Sequence, residues 1–156
     1  MGSYEPKLAE WDGSVAEFVT VYRHIPMDRR TESIDGGWSA REVLQHLLED
    51  GILFATRMRA AIADPGSTIL PLDPERYQAN LSYALVPDEM LLESLASLRA
   101  VNVGLLRALP SDAWGRTVQH PEAGDQSVES IATVFGDHVS DHLSDVKNAG
   151  LGTTSR

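Results

Sequence analysis

Residues 38–66 read "WSAREVLQHLLEDGILFATRMRAAIADPG", and this stretch decides the fold class. Ser39 is placed as a helix N-cap with Glu42 three residues on. Each can satisfy an orphan backbone donor beside the other, the reciprocal arrangement of a capping box. Trp38 and Val43 occupy the flanking positions of a hydrophobic staple. From there Leu44, Leu47, Gly51, Phe54, Met58 and Ile62 recur at helical spacing to about Ala63, where Asp64-Pro65-Gly66 stops the helix. One polar residue, His46, lies off the centre of this stripe, on the side of Val43 and Asp50.

Three further segments share this periodicity, and no strand pattern competes with them. The first runs from about Tyr4 to His24, with Leu8, Trp11, Val15, Phe18, Tyr22 and Ile25 as its stripe and Pro26 as its end. The third starts with Pro87 at its first helical position, complemented by Asp88 and Glu89. It carries Leu91, Leu95, Leu98, Leu105 and Leu109 before Pro110, and its stripe is interrupted by Asn102. The fourth follows Ser127 as N-cap and ends near Asn148, with Gly150 beyond. Residues 1–149 are therefore expected to form a single domain and residues 150–156 a disordered tail.

The linker from Asp64 to Val86 is 23 residues long, with a short helix expected around Glu75 to Ser82. Antiparallel neighbours need only a short turn, whereas a crossing of this length lets successive helices run parallel. The expectation is an all-α four-helix bundle ordered up-down-down-up, with its long crossover between the second and third helices. A second long linker, Pro110 to Gln126, contains "QHPEAGD".

Composition narrows the function. The chain has 156 residues and a formal charge of −10, a surface that repels phosphate backbones and anionic membranes. No nucleic acid or membrane partner is expected. There is no cysteine, so thiolate nucleophiles and sulfur-ligated zinc are excluded, and any metal must use nitrogen or oxygen ligands. "MGSYEPK" lacks the apolar region of a signal peptide, and no apolar run approaches the roughly 18 residues of a membrane span. A cytoplasmic protein is expected.

The fourth helix, "VFGDHVSDHLSDVK" at 134–147, carries His138 and His142. Four residues apart, they share a face and can hold one ion. Alone, the pair is equally a pair of hydrogen-bonded or edge histidines. His46 adds weight. It stands about seven residues into its helix, while His142 and His138 stand about six and ten from the end of theirs. Antiparallel packing puts all three at one level, while parallel packing separates them by ~7 Å at 1.5 Å per residue. Three histidines leave a fourth position for water or substrate, the ligand count of a catalytic zinc site. Asp141 is the best placed carboxylate to orient an imidazole. Asn102 supports the site or bonds a buried backbone group. Glu49, three residues after His46, is a candidate base. His120 either reaches the mouth of the site or is a surface loop histidine. The three tryptophans read as packing residues. No E-x-x-H supports a di-iron bundle, and no G-x-S-x-G supports a serine hydrolase.

"WSAREVLQHL", "LDPERY", "QHPEAGDQSVESI" and "DHVSDHL" together resemble the DinB/YfiT-like superfamily, over roughly Leu8 to Ala149. The positions of His46, His138 and His142 match that family's metal triad. The resemblance implies the up-down-down-up bundle, a divalent ion such as zinc or nickel, and a homodimer. It also implies an enzyme acting on a small-molecule substrate. Transfer of a low-molecular-weight thiol to an electrophile is the first expectation. Hydrolysis by metal-activated water, and a non-enzymatic metal- or small-molecule-binding stress protein, are the alternatives.

Overall fold

The computed structural model describes residues 4–151; of the tail expected at 150–156, residues 150 and 151 continue the last helix, and 152–156 lie outside the described residues. Among the described residues the chain forms α1 (Glu5–His24), α2 (Ala40–Ala63), α3 (Pro74–Asn80), α4 (Asp88–Arg107), β1 (Thr117–His120), β2 (Gly124–Ser127) and α5 (Val128–Leu151). The long helices α1, α2, α4 and α5 make the bundle.

Local chemistry sets most of these ends. In α2 the Glu42 amide donates to Ser39 Oγ at 3.3 Å and Glu42 Oε2 accepts from the Ser39 amide at 2.8 Å. At the start of α5, Ser127 Oγ accepts from the Ser130 amide at 3.0 Å. The short helix α3 begins at Pro74 because Asp73 caps the amides of Glu75 and Arg76; it ends two residues before the expected limit. In α4, Pro87 is the extended residue before the helix rather than its first helical one (ψ 142°). Asp88 then leads, its carboxylate paired with Arg30 and Arg41 and accepting from Tyr22 Oη.

Helices α1 and α2 each pack against both α4 and α5, and side-chain contacts give the direction of every pair. Tyr22 meets Asp88 while Arg107 Nε donates to Glu5 at 3.0 Å, so α1 and α4 are antiparallel. Arg41 pairs with Asp88 and Arg59 donates to Asn102 at 2.8 Å, so α2 and α4 run parallel. Trp11 reaches Asp137 and Lys147 reaches Glu17, so α1 and α5 run parallel. His46 lies against His138, and Phe54 against Phe135, so α2 and α5 are antiparallel.

The core falls into two clusters stacked along the bundle axis. Phe18, Tyr22, Leu44, Leu47, Leu95 and Val139 centre the first; Leu8, Trp11, Met58, Val103, Trp114 and Ile131 centre the second. Along α4 the changeover falls at buried Arg99 and Asn102, along α5 at Phe135. There the Arg99 guanidinium stacks on the Phe135 ring at 4.1 Å and donates to the Phe135 carbonyl at 3.0 Å. Burial holds its pKa down to about 10.

The second long linker departs from expectation. Residues 117–127 fold as an antiparallel hairpin, with His120 opposite Gly124 and Gly124 at φ 74°. This is the positive φ that closes a three-residue hairpin loop. The start of the crossover lies along β1: the Ile69 amide donates to the Gln119 carbonyl at 2.9 Å, and the Gln119 amide to the Ser67 carbonyl at 2.9 Å. Val118, fully buried, ties the hairpin to the second core cluster. Each strand is four residues long and mostly polar, too short for alternation to declare itself.

Candidate metal centre

The antiparallel contact of α2 and α5 brings three imidazoles together. One ring nitrogen each from His46, His138 and His142 lies within 4.8 Å of the other two. His46 Nε2 and His138 Nε2 are 2.8 Å apart, and the ring centroids are separated by 4.7 to 5.1 Å. A tetrahedral ion with ~2.1 Å bonds spaces its ligand nitrogens by about 3.4 Å, a value inside this spread. The donor set, three imidazoles and no sulfur, suits a divalent first-row transition metal. Small side-chain rotations would close the three nitrogens on one ion.

Burial prepares the nitrogens. His46 is 6% exposed, and its pKa falls to about 4. Burial is the main cause; His138 and His142 push the same way, while Asp50 opposes them. His46 is therefore neutral near pH 7, with a lone pair to offer, as a metal ligand requires.

The cluster's carboxylates differ from expectation. Asp50, one turn after His46 and 7% exposed, lies with Oδ2 3.0 Å from His138 Nε2 and 3.4 Å from His46 Nε2. Sequence reasoning noted Asp50 only as a marker of which side His46 faces. The i,i+4 spacing that joins His138 to His142 also joins His46 to Asp50, and was the available signal. On α5 the orienting carboxylate is Asp145, whose Oδ2 lies 3.2 Å from His142 Nδ1. This contact leaves His142 Nε2 as the free nitrogen. Asp141, expected in that role, is exposed; Asp145, three residues beyond His142, sits on the His142 side. Trp38, read as a packing residue, also covers the cluster: its ring centroid is 4.7 Å from that of His46 and 6.4 Å from that of His142.

The remaining candidates separate. Glu49 is one turn from His46 and accepts from the Tyr83 hydroxyl; burial, and then neighbouring Asp50, raise its pKa. Asn102 is 1% exposed, but its partner is Arg59, thirteen residues beyond His46 and ~20 Å along the helix at 1.5 Å per residue. It belongs to the polar layer between the cores. His120 closes the hairpin turn, its Nδ1 accepting from the amides of Glu122 and Ala123 at 3.2 and 3.1 Å. Neither Asn102 nor His120 joins the cluster.

Comparison with known proteins places this arrangement. A protein of Oceanobacillus iheyensis, named as a proposed metal-dependent hydrolase, is 27% identical over 144 residues, covering 89% of this chain and 83% of its own. A Bacillus cereus protein with the same description is 27% identical over 111 residues, covering 71% of this chain. The match spans 64% of that relative's length. In structure the chain resembles YfiT from Bacillus subtilis, described as a proposed metal-dependent hydrolase with an unusual four-helix bundle topology. The TM-score is 0.85 at 18% identity, over 97% of this chain and 89% of YfiT; at that identity the likeness establishes the bundle fold. A sequence profile of the DinB superfamily matches residues 5–146, and the chain belongs to that superfamily.

Proposed function

We propose that the chain is a divalent-metal-dependent hydrolase acting on a small molecule. Its bundle would follow the up-down-down-up order, a reading supported by the four pair directions above. His46, His138 and His142 would hold the ion, with zinc or nickel the best matches to an all-imidazole set. When bound, such an ion supplies Lewis acidity and an acidified water at neutral pH.

The observation that carries the reading is the Asp50 carboxylate, buried and within 3.4 Å of two of the three candidate ligand nitrogens. An acceptor there can take a proton at Oδ2 from a water at the centre. Asp145 holds the His142 ring so that Nε2 faces inward, which fixes its tautomer. Trp38 shields the rings from bulk water on one side. The same carboxylate ranks hydrolysis ahead of thiol transfer, the first expectation from sequence. Asp50 would repel a thiolate brought to the ion, whereas a water nucleophile needs a base beside it.

The test is Asp50→Asn in zinc-loaded protein, assayed on a panel of esters, lactones and amides without thiols. The expected result is a loss of about 10²–10⁴ in kcat, the usual worth of a general base, with metal content unchanged. Turnover that appears only when a low-molecular-weight thiol is added, and that Asp50→Asn leaves intact, would contradict the hydrolytic reading.

A further inference from the structure

The face of α2 that carries His46 continues down the helix as the wall of a cavity. Glu49, Leu53, Arg57 and Ala60 follow His46 at spacings of three and four, which keeps them on one side. Opposite them runs the first part of the crossover, Thr68 to Leu72, and Tyr77 of α3. This open cavity has a volume of about 410 Å³, within the range of ~300–1,000 Å³ typical of small-molecule pockets. Ile52, Leu53, Ile69, Leu70 and Leu72 make the wall predominantly apolar.

Arg57 is the one cation among the described residues lining this cavity. It is only 8% exposed. Its Nη2 donates to the Leu70 carbonyl at 2.9 Å, and its Nε has no partner. The nearest acid on its own face is Asp50, seven residues back and so ~10 Å along the helix. Buried charges are normally paired, and this one faces a cavity instead. Arg99 is the contrast. It too has an unpartnered Nε, but the Phe135 ring lies directly against its guanidinium at 4.1 Å, whereas the Phe54 ring stands 6.0 Å from that of Arg57.

We infer that this cavity binds an amphiphilic monocarboxylate, its carboxylate paired with Arg57 and its apolar body along Leu53, Ile69 and Leu72. A single cation matches a single negative charge. A dianion such as a phosphate ester would find no second cation in the lining, whose other charged residue is the acid Glu49. The inference rests on the hydrolytic reading only in naming its substrate class: the acid end sits at Arg57, and the opposite end extends toward Glu49 and the histidine cluster.

The experiment is calorimetric titration of octanoate and octanamide into metal-stripped and zinc-loaded protein, repeated with Arg57→Met and Thr56→Trp. Arg57→Met keeps the apolar stem and removes the charge. Thr56→Trp fills the cavity from an exposed helix position, and serves if Arg57→Met does not fold. Octanoate is expected to bind both metal states with similar affinity. Arg57→Met should weaken it at least about tenfold, or ~1.4 kcal/mol, and leave octanamide unchanged; Thr56→Trp should abolish octanoate binding. Equal affinity for acid and amide, or octanoate affinity indifferent to Thr56→Trp, would overturn the inference. Octanoate binding that needs zinc and His142 but not Arg57 would also overturn it, leaving the metal reading intact. Arg57-dependent octanoate binding in a protein that takes up no metal would support the pocket and contradict the hydrolase.

Discussion

At His46 burial outweighs charge. Asp50 lies 3.4 Å from Nε2 and favours protonation, yet the ring is kept neutral down to about pH 4 by burial and by two neighbouring imidazoles. This has a sign that can be tested. An ordinary histidine binds its proton near 6.5. Between 6.5 and about 4 the unfolded chain therefore holds more protons at this position than the folded one, and stability falls as pH falls through that window. Metal-free protein should lose thermal stability between pH 7 and pH 4.5, and His46→Gln should lose measurably less. An equal loss in both proteins would show that His46 is not the group responsible. The residue scale is also where sequence reasoning was weakest. His138 and His142 announce themselves because imidazoles interrupt an apolar stripe. Asp50 does not, because an acid on a helix is ordinarily a solvated one; only the opposing α5 rings turn it inward.

At the scale of elements, the ends of α2 were legible because two independent local signals bracket it, the Ser39–Glu42 box and Asp64-Pro65-Gly66. Ser39→Ala removes the side-chain half of the box, the Oγ that accepts from the Glu42 amide, and should cost about 1 kcal/mol. That corresponds to a fall of roughly 2–4 °C in Tm for a chain of this size, measured by thermal melting. The packing of α1 on α5 was not legible, because it depends on a glycine. A Cβ at Gly136 would overlap the ring of Trp11, whose Nε1 donates to Asp137 at 3.0 Å. Gly136→Ala gains about 1 kcal/mol of helix propensity but overpacks a rigid, buried ring, a change that costs about 1–3 kcal/mol. The ring cannot rotate away without breaking its bond to Asp137, so the upper part of that range applies. The variant should be net destabilised in urea, and an unchanged or raised midpoint would contradict this contact. The hairpin escaped detection for another reason. Its β1 edge is completed by Ser67 and Ile69, some fifty residues earlier, and no local pattern in "TVQH" or "GDQS" encodes that partner.

For the molecule as a whole, the class of fold followed from four periodic segments and two long linkers, and the first of these linkers, the crossover, carries the short helix expected in it. Its first residues pair with β1, and Asp73 starts α3. Tyr83, near its end, bonds Glu49 beside the cluster. The crossover is thus positioned as a wall over the same face of α2 that carries His46, Glu49 and Arg57. This is the arrangement expected where a rigid bundle supplies ligands and a connecting segment shapes access to them. Among the described residues no helix is long and apolar enough to cross a membrane. The three imidazoles lie where α2 and α5 cross, so an ion there would bridge two helices far apart in sequence. Anything that binds only the folded state raises its stability, by about 4 kcal/mol at a thousandfold excess over Kd.

The most direct measurement is the divalent metal content of purified protein by elemental analysis, compared with His138→Ala and His142→Ala, after dialysis against zinc and then buffer. The prediction is about one ion per chain in the wild type, the stoichiometry of a single three-histidine site, lost in both variants. Wild-type protein that retains no ion, or variants that retain as much as the wild type, would contradict the assignment of His46, His138 and His142 as a metal centre.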